Sequence, residues 1–280
     1  MMHWRAGARM RGRAAALTLC LSALGCQVGQ DEEVQLGRRN AEQVDAQLPL
    51  VRDPVATNYV QQLGVSIART TERADLDWRF RIIDSREVNA FALPGGFIYV
   101  NRGLIERADR LDELAGVLGH EIGHVVQRHS VRQMEKQTKT GVAVELGCRL
   151  TDLCSSEVAR AAIQVGGAAL FARYSRKDEA EADSVALGFV IDAGIDPRGI
   201  PALFKKLIEE RRRSPARIEG FFASHPLEED RIAATERDIA ALDPSVFEQL
   251  RQDDPSYQAF KAHLAALPRT PERAPDPVPP

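Results

Sequence analysis

The sequence predicts an α+β domain, mainly helical, carrying one small sheet. Three observations point there. Apolar residues recur at helical spacing in two stretches: Val55, Tyr59, Leu63 and Ile67 between Pro54 and Arg69, then Leu111, Leu114, Ala115, Leu118, Ile122, Val125 and Val126. Trp78, Phe80 and Ile82 alternate with arginines, the period of a strand. Residues 91–100 read as strand, tight turn and strand, with Pro94, Gly95 and Gly96 marking the turn.

The remaining elements follow from local signals. Residues 27–50 are polar and helical in part, a spacer ahead of the domain. Helical patterns appear near 157–173 and 177–193, the second stopping at Ala193-Gly194, with Asp196-Pro197 opening the next helix. Another helix starts after Ser224-His225-Pro226, with Pro in its first turn. Residues 267–280 are rich in Pro and charge and read as a disordered tail. The chain divides into 1–25, a targeting segment; 26–50, the spacer; 51–245, the domain; and 246–280, a last helix and tail.

A chain of 280 residues, 44% hydrophobic, is long enough for a core and too apolar for wholesale disorder. Its net charge of −3 lacks the basic excess of a nucleic-acid binder, and no nucleic-acid partner is expected. Arg5, Arg9, Arg11 and Arg13 precede an apolar run over 14–24, about half a membrane span. That is the charge asymmetry of a secretory signal peptide; a buried first helix is the alternative. Ala23-Leu24-Gly25-Cys26 resembles the lipobox of bacterial lipoproteins, in which the cysteine becomes the lipidated first residue. Ala23 stands where that pattern usually has Leu, and Ala23 with Gly25 also suits an ordinary signal-peptidase cut. Lipidation at Cys26, followed by Gln27 and not Asp, implies an exported protein in the periplasm, anchored through its lipid to the outer membrane. Cys148 and Cys154 close a short loop; in an oxidising compartment they read as a disulfide, or else as two free buried thiols.

The chemistry concentrates in His120-Glu121-Ile122-Gly123-His124. Two histidines four apart on a helix project from one face, the spacing needed for two imidazoles to meet one zinc ion. Glu121 is rotated about 100° from His120, where it can act as general base on water without binding the metal. Gly123 inside a helix costs about 1 kcal/mol relative to Ala and calls for a packing or functional reason. A catalytic zinc takes three protein ligands, so a third is expected downstream. Glu179-Ala180-Glu181-Ala182-Asp183 offers it: Glu179 to bind the metal, and Asp183, one turn on, to accept the N–H of a ligating histidine. Glu181 points elsewhere and reads as solvated.

Together with Asn89-Ala90-Phe91-Ala92-Leu93-Pro94-Gly95-Gly96, Tyr174-Ser175-Arg176 and Ser224-His225-Pro226, these blocks resemble the family of zinc metallopeptidases that includes the CAAX prenyl protease and HtpX. The likeness is strongest to its soluble periplasmic, BepA-like members. It departs from the first two in that no membrane span is expected beyond the export signal, and from the last in that no helical-repeat domain is expected. The resemblance implies a gluzincin fold, with a small sheet packed on the active-site helix. It implies Glu179, not Glu181, as third ligand, and one zinc per subunit. Phe97, Ile98, Tyr99 and Val100 would form the edge strand on which an extended substrate adds; an interior strand is the alternative. His225 would act at the site, either occupying the open zinc position at rest or stabilising the oxyanion. Arg231 and Arg176 would steady the site or form surface salt bridges. His129, nine residues after His120, faces the far side of the helix and is not expected as a ligand. The implied activity is zinc endopeptidase action on misfolded or unassembled envelope proteins, with the outer-membrane assembly machinery as a partner. The alternatives are a zinc-stabilised binding or chaperone module with little turnover, and a protease latched until a partner displaces His225.

Overall fold

The alternation around Phe80 becomes strand β1 (Arg79–Ile83), and the strand–turn–strand signal becomes β2 (Ala90–Leu93) and β3 (Phe97–Asn101). In this computed structural model, which describes residues 28–136, 174–215, 218–226 and 229–270, they form one mixed sheet in the order β1-β3-β2. β3 runs parallel to β1 and antiparallel to β2. Gly95 and Gly96 turn the hairpin at φ 77 and 97, where a side chain is strained.

The strand order corrects one expectation. Phe97, Ile98, Tyr99 and Val100 do not form an edge: β3 is the central strand, paired on both sides. The β2–β3 hairpin has two outer sides, and β1 covers the one along β3, leaving β2 outermost. Asn101 N–H donates to Asn89 O at 2.9 Å, which fixes the alternation of the ladder. Phe91 and Leu93 therefore face β3 with their amides, while Ala90 and Ala92 turn theirs to the open edge.

Both faces of the β2–β3 hairpin are covered, which explains why its strands are buried throughout. Helix α1 (Gln30–Gln47) lies across one face, where Ala41 and Val44 join Ile83, Phe91, Leu93, Phe97 and Tyr99. The polar stretch expected as a spacer is thus a helix packed on the sheet. On the other face Phe80, Ile82, Ala92 and Ile98 meet α2 (Pro54–Ala68) and α4 (Leu111–Val126) in the main core. Asp53 caps α2 by accepting the Ala56 N–H, with Pro54 in the first turn. The short α3 (Arg102–Arg107) links β3 to α4.

Every residue of α4 is buried. Around it pack α5 (Arg176–Asp192), which opens with a Ser175–Asp178 capping box, and α6 (Gly199–Arg213). The short α7 (Glu219–Ser224), α8 (Glu229–Ala240) and α9 (Pro255–Ala266) complete the helical layer. α9 buries Tyr257, Phe260 and Leu264 in the main core, and the Tyr257 hydroxyl donates to Ala108 O at 2.6 Å. Residues 267–270, expected to begin a disordered tail, are held instead. Arg102 donates to Leu267 O at 2.9 Å, and Arg269 pairs with Glu106. Among the described residues no helix is long and apolar enough to cross a membrane. The targeting segment, Cys26, the helix near 157–173, Cys148, Cys154 and residues 271–280 lie outside the described residues.

Candidate metal centre

Helices α4 and α5 approach closely because one of them lacks a side chain at the contact. A Cβ on Gly123 would stand 3.0 Å from both Ala182 O and Val185 Cγ2. The glycine that weakens α4 as an isolated helix therefore lets α5 bring its acidic residues against His120 and His124. The turn after α7 delivers His225 to the same point. His120, Glu121, His124, Glu179 and His225 are all at most 1% exposed.

The donor atoms converge. Nε2 of His120 and Nε2 of His124 are 3.0 Å apart. Glu179 Oε1 is 3.3 Å from His124 Nε2, and Oε2 is 3.5 Å from His120 Nε2. His225 Nδ1 lies 3.4 Å from His120 Nε2 and 3.1 Å from Glu179 Oε1. Two donors held tetrahedrally at ordinary zinc–ligand lengths lie roughly 3.3 Å apart, so these separations fit one small cation. The charge fits as well. Glu179 and Asp183 are buried against Arg231, with Glu121 buried beside them, and a divalent ion would add positive charge to this acidic cluster. Both carboxylate oxygens of Glu121 lack a hydrogen-bond partner among the described residues, an arrangement buried acids avoid unless a ligand or water completes them.

Each donor is held from behind. Asp183 Oδ1 lies 2.8 Å from His120 Nδ1 and so holds the ring with Nε2 turned to the cluster, where a metal would take that nitrogen's lone pair. Arg231 forks Asp183 with Nε and a terminal nitrogen, both at 2.8 Å, and reaches Glu179 at 2.6 Å and Pro226 O at 3.0 Å. Tyr174 stacks on the His124 ring at 3.8 Å. Burial opposes charge on His120, but Asp183 and Glu179 outweigh it and lift the imidazole to about 10. Burial lowers His124 well below its ordinary value. Burial pushes Glu179 upward, yet the charge of His225 and the hydrogen bonds of three imidazoles hold it well below the usual carboxylate range. Burial raises the Glu121 carboxyl. The charges of His225 and His120 oppose that rise, and the open-edge amide of Ala92, which faces Glu121, adds to them.

Residues 54–239 match the model of Peptidase family M48. The chain belongs to that family. It is 30% identical over 235 residues to the beta-barrel assembly-enhancing protease of Escherichia coli (strain K12), covering 80% of this chain and 47% of that protein. It is 28% identical over 207 residues to the mitochondrial metalloendopeptidase OMA1 of Schizosaccharomyces pombe, covering 73% and 60% of the two chains. Metalloprotease YcaL of Escherichia coli (strain K12) is 31% identical over 148 residues, 52% of this chain and 56% of its own. The chain spans about half the length of the first of these relatives.

The M48 domain thus gathers His120, Glu121, His124, Glu179, Asp183 and His225, named from the sequence, into one buried cluster. Phe97, Ile98, Tyr99 and Val100 lie instead in the middle of the sheet, and β2 is the strand whose open edge faces Glu121. His129 is placed differently from the helical expectation. Helix α4 ends at Val126, Arg128 adopts φ 54, and the chain reverses. His129 Nδ1 thereby comes within 2.8 Å of His124 Nδ1. Glu181 is not merely solvated but pairs with His129 and Arg132. No residue-level signal announces that reversal, since left-handed backbone at an arginine is uncommon.

Proposed function

We propose that this M48 domain is a zinc endopeptidase holding one zinc through His120, His124 and Glu179. The observation that carries the reading is the convergence of these three buried donors beside a buried Glu121 that makes no hydrogen bond among the described residues and faces the open edge of β2. Zinc bound there would polarise the scissile carbonyl and make water nucleophilic at neutral pH. An extended peptide adds to β2, pairing with the outward amide and carbonyl groups of Ala90 and Ala92, so that its backbone passes Glu121. Glu121 takes the proton of the attacking water and hands it to the departing amine. A carboxyl raised by burial suits that double duty. Recognition through backbone groups tolerates varied side chains. That favours unfolded polypeptides as substrates.

A second reading concerns the resting state. His225 offers Nδ1 to the same point as the three ligands, and its Nε2 is 3.4 Å from Glu121 Oε1. This supports a latched enzyme in which His225 fills the fourth donor position until substrate or a partner displaces it. The same ring, once displaced, would donate to the oxyanion.

The cellular setting rests on the sequence and the names of the relatives. A signal peptide over 1–25 and lipidation at Cys26 would hold the enzyme at the periplasmic side of the outer membrane. Misfolded or unassembled envelope proteins would be its substrates, and the outer-membrane assembly machinery its partner. Metal content and cleavage of an unfolded protein, before chelation, after it and after zinc is restored, test the activity. One zinc per chain and cleavage that follows the zinc are expected; cleavage indifferent to metal refutes it. His225→Ala should raise basal cleavage if the latch is right; unchanged or lost cleavage rejects the latch. Labelling with a lipid precursor tests Cys26.

A further inference from the structure

His129 lies outside the His120–His124 run, yet its ring ends against it. The turn at Gln127 and Arg128 closes α4 and starts a new helical stretch over 129–136. The reversal buries His129 to 1% exposure and sets its Nδ1 2.8 Å from Nδ1 of His124. On its other side Nε2 lies 3.1 Å from Glu181 Oε2, and Arg132 holds that same oxygen at 2.6 Å.

With a metal at the cluster, the protons along this run of contacts have one self-consistent arrangement. His124 points Nε2 into the cluster, and a metal bound there would take the lone pair of that nitrogen. Its single N–H is then on Nδ1 and needs an acceptor, and the atom within reach is Nδ1 of His129. With Nδ1 accepting, His129 carries its own proton on Nε2 and donates it to Glu181. Every contact then has one donor and one acceptor. Tyr174 closes the remaining freedom of the His124 ring: it stacks at 17° on one face, and its hydroxyl bonds Ser130, the neighbour of His129.

We infer that His129 is a positioning residue for the metal centre, fixing the tautomer and orientation of His124, with Glu181 as the anchor of His129. The centre would then be braced twice, by Asp183 behind His120 and by the His129–Glu181 pair behind His124. The inference rests on the reading of His124 as a metal ligand. A second cation site is the other use these groups suggest, because His129, Asp178 and Glu181 bring donor atoms within 4.8 Å of one another. Arg132 argues against it. Its guanidinium, 2.6 Å from Glu181 and 3.4 Å from Asp178, already supplies the positive charge there.

The test compares the full chain with its His129→Ala, His129→Asn and Glu181→Ala variants. Zinc affinity is measured by chelator competition, and the His124 tautomer by nitrogen-15 NMR of the zinc-loaded proteins. Asn places Oδ1 where His has Nδ1, so it can accept the same hydrogen bond. His129→Ala should weaken zinc binding by about 10–100-fold, His129→Asn should recover most of that loss, and Glu181→Ala should give a smaller loss in the same direction. The wild-type spectrum should show His124 protonated at Nδ1. Unchanged affinity in His129→Ala, or an Asn variant as weak as the Ala variant, overturns the proposal. So does a second zinc equivalent that disappears with His129. If His129→Ala does not fold, the Asn and Glu181 variants decide by the same criteria. Failure of the underlying reading looks different: His124→Ala would then leave zinc binding intact.

Discussion

Arg231 is the arginine that pairs with two buried carboxylates of this centre, Asp183 and Glu179. It forks Asp183 through two contacts of 2.8 Å, reaches Glu179 at 2.6 Å, and ties down the His225 turn through Pro226 O. It is 8% exposed, so solvent screens little of this. Arg231→Ala takes the guanidinium from two buried carboxylates and leaves them only the imidazoles, a loss worth about 3–5 kcal/mol. At ~2–4 °C per kcal/mol for a domain of this size, the melting temperature of the chelated protein should fall by roughly 6–20 °C. With zinc bound the loss should be smaller, because the ion supplies positive charge to Glu179. Arg231→Lys should recover only part, since an ammonium cannot fork a carboxylate. Thermal unfolding followed by circular dichroism, with and without chelator, measures all of these. The pH dependence has a defined sign. Burial raises Asp183, but the hydrogen bonds and charges of His120 and Arg231 outweigh it and hold the group below its ordinary 3.8. A depressed carboxylate contributes stability above the unfolded pKa and loses it as pH falls through the folded one. The gap between wild type and Arg231→Ala should therefore narrow below about pH 4. Equal midpoints in chelator, or a loss as large with zinc as without, would refute this account of Arg231.

Two further substitutions probe how the fold presents the site. Gly123→Ala puts a Cβ 3.0 Å from the Ala182 carbonyl; overpacking of about 1–3 kcal/mol should outweigh the ~1 kcal/mol gain in helix propensity. Denaturant unfolding and metal content should both show a loss, and a stabilised variant with full metal would contradict the close α4–α5 contact. Ala92→Pro removes an amide that faces the open edge and not the ladder, so the fold should survive while cleavage of an unfolded protein drops. Undiminished cleavage would remove β2 as the substrate strand.

What could be read from the sequence was what is local. The 3.6-residue period of α4 puts His120 and His124 on one face, and the same spacing puts Glu179 and Asp183 one turn apart on α5. Pro94, Gly95 and Gly96 announce their hairpin through the backbone the turn requires. The errors fall where pairing is long-range. Alternating or apolar residues show that β1, β2 and β3 are strands, but nothing in β3 says that β1 will take its outer side. The polar character of α1 likewise hid its docking, because Glu33 is buried by Arg73 and Arg128, not by apolar neighbours. Helical spacing continued past Val126 puts His129 on the wrong face, because a left-handed Arg128 turns the chain back.

The central claim is that Glu121 does the proton chemistry at a metal held by other residues. Glu121→Gln beside wild type tests it most directly, with zinc content and cleavage of an unfolded protein measured on the same preparations. The account predicts equal zinc and a cleavage rate reduced about 10²–10⁴-fold in the variant. Cleavage by Glu121→Gln at the wild-type rate, or zinc lost along with the carboxylate, would contradict it.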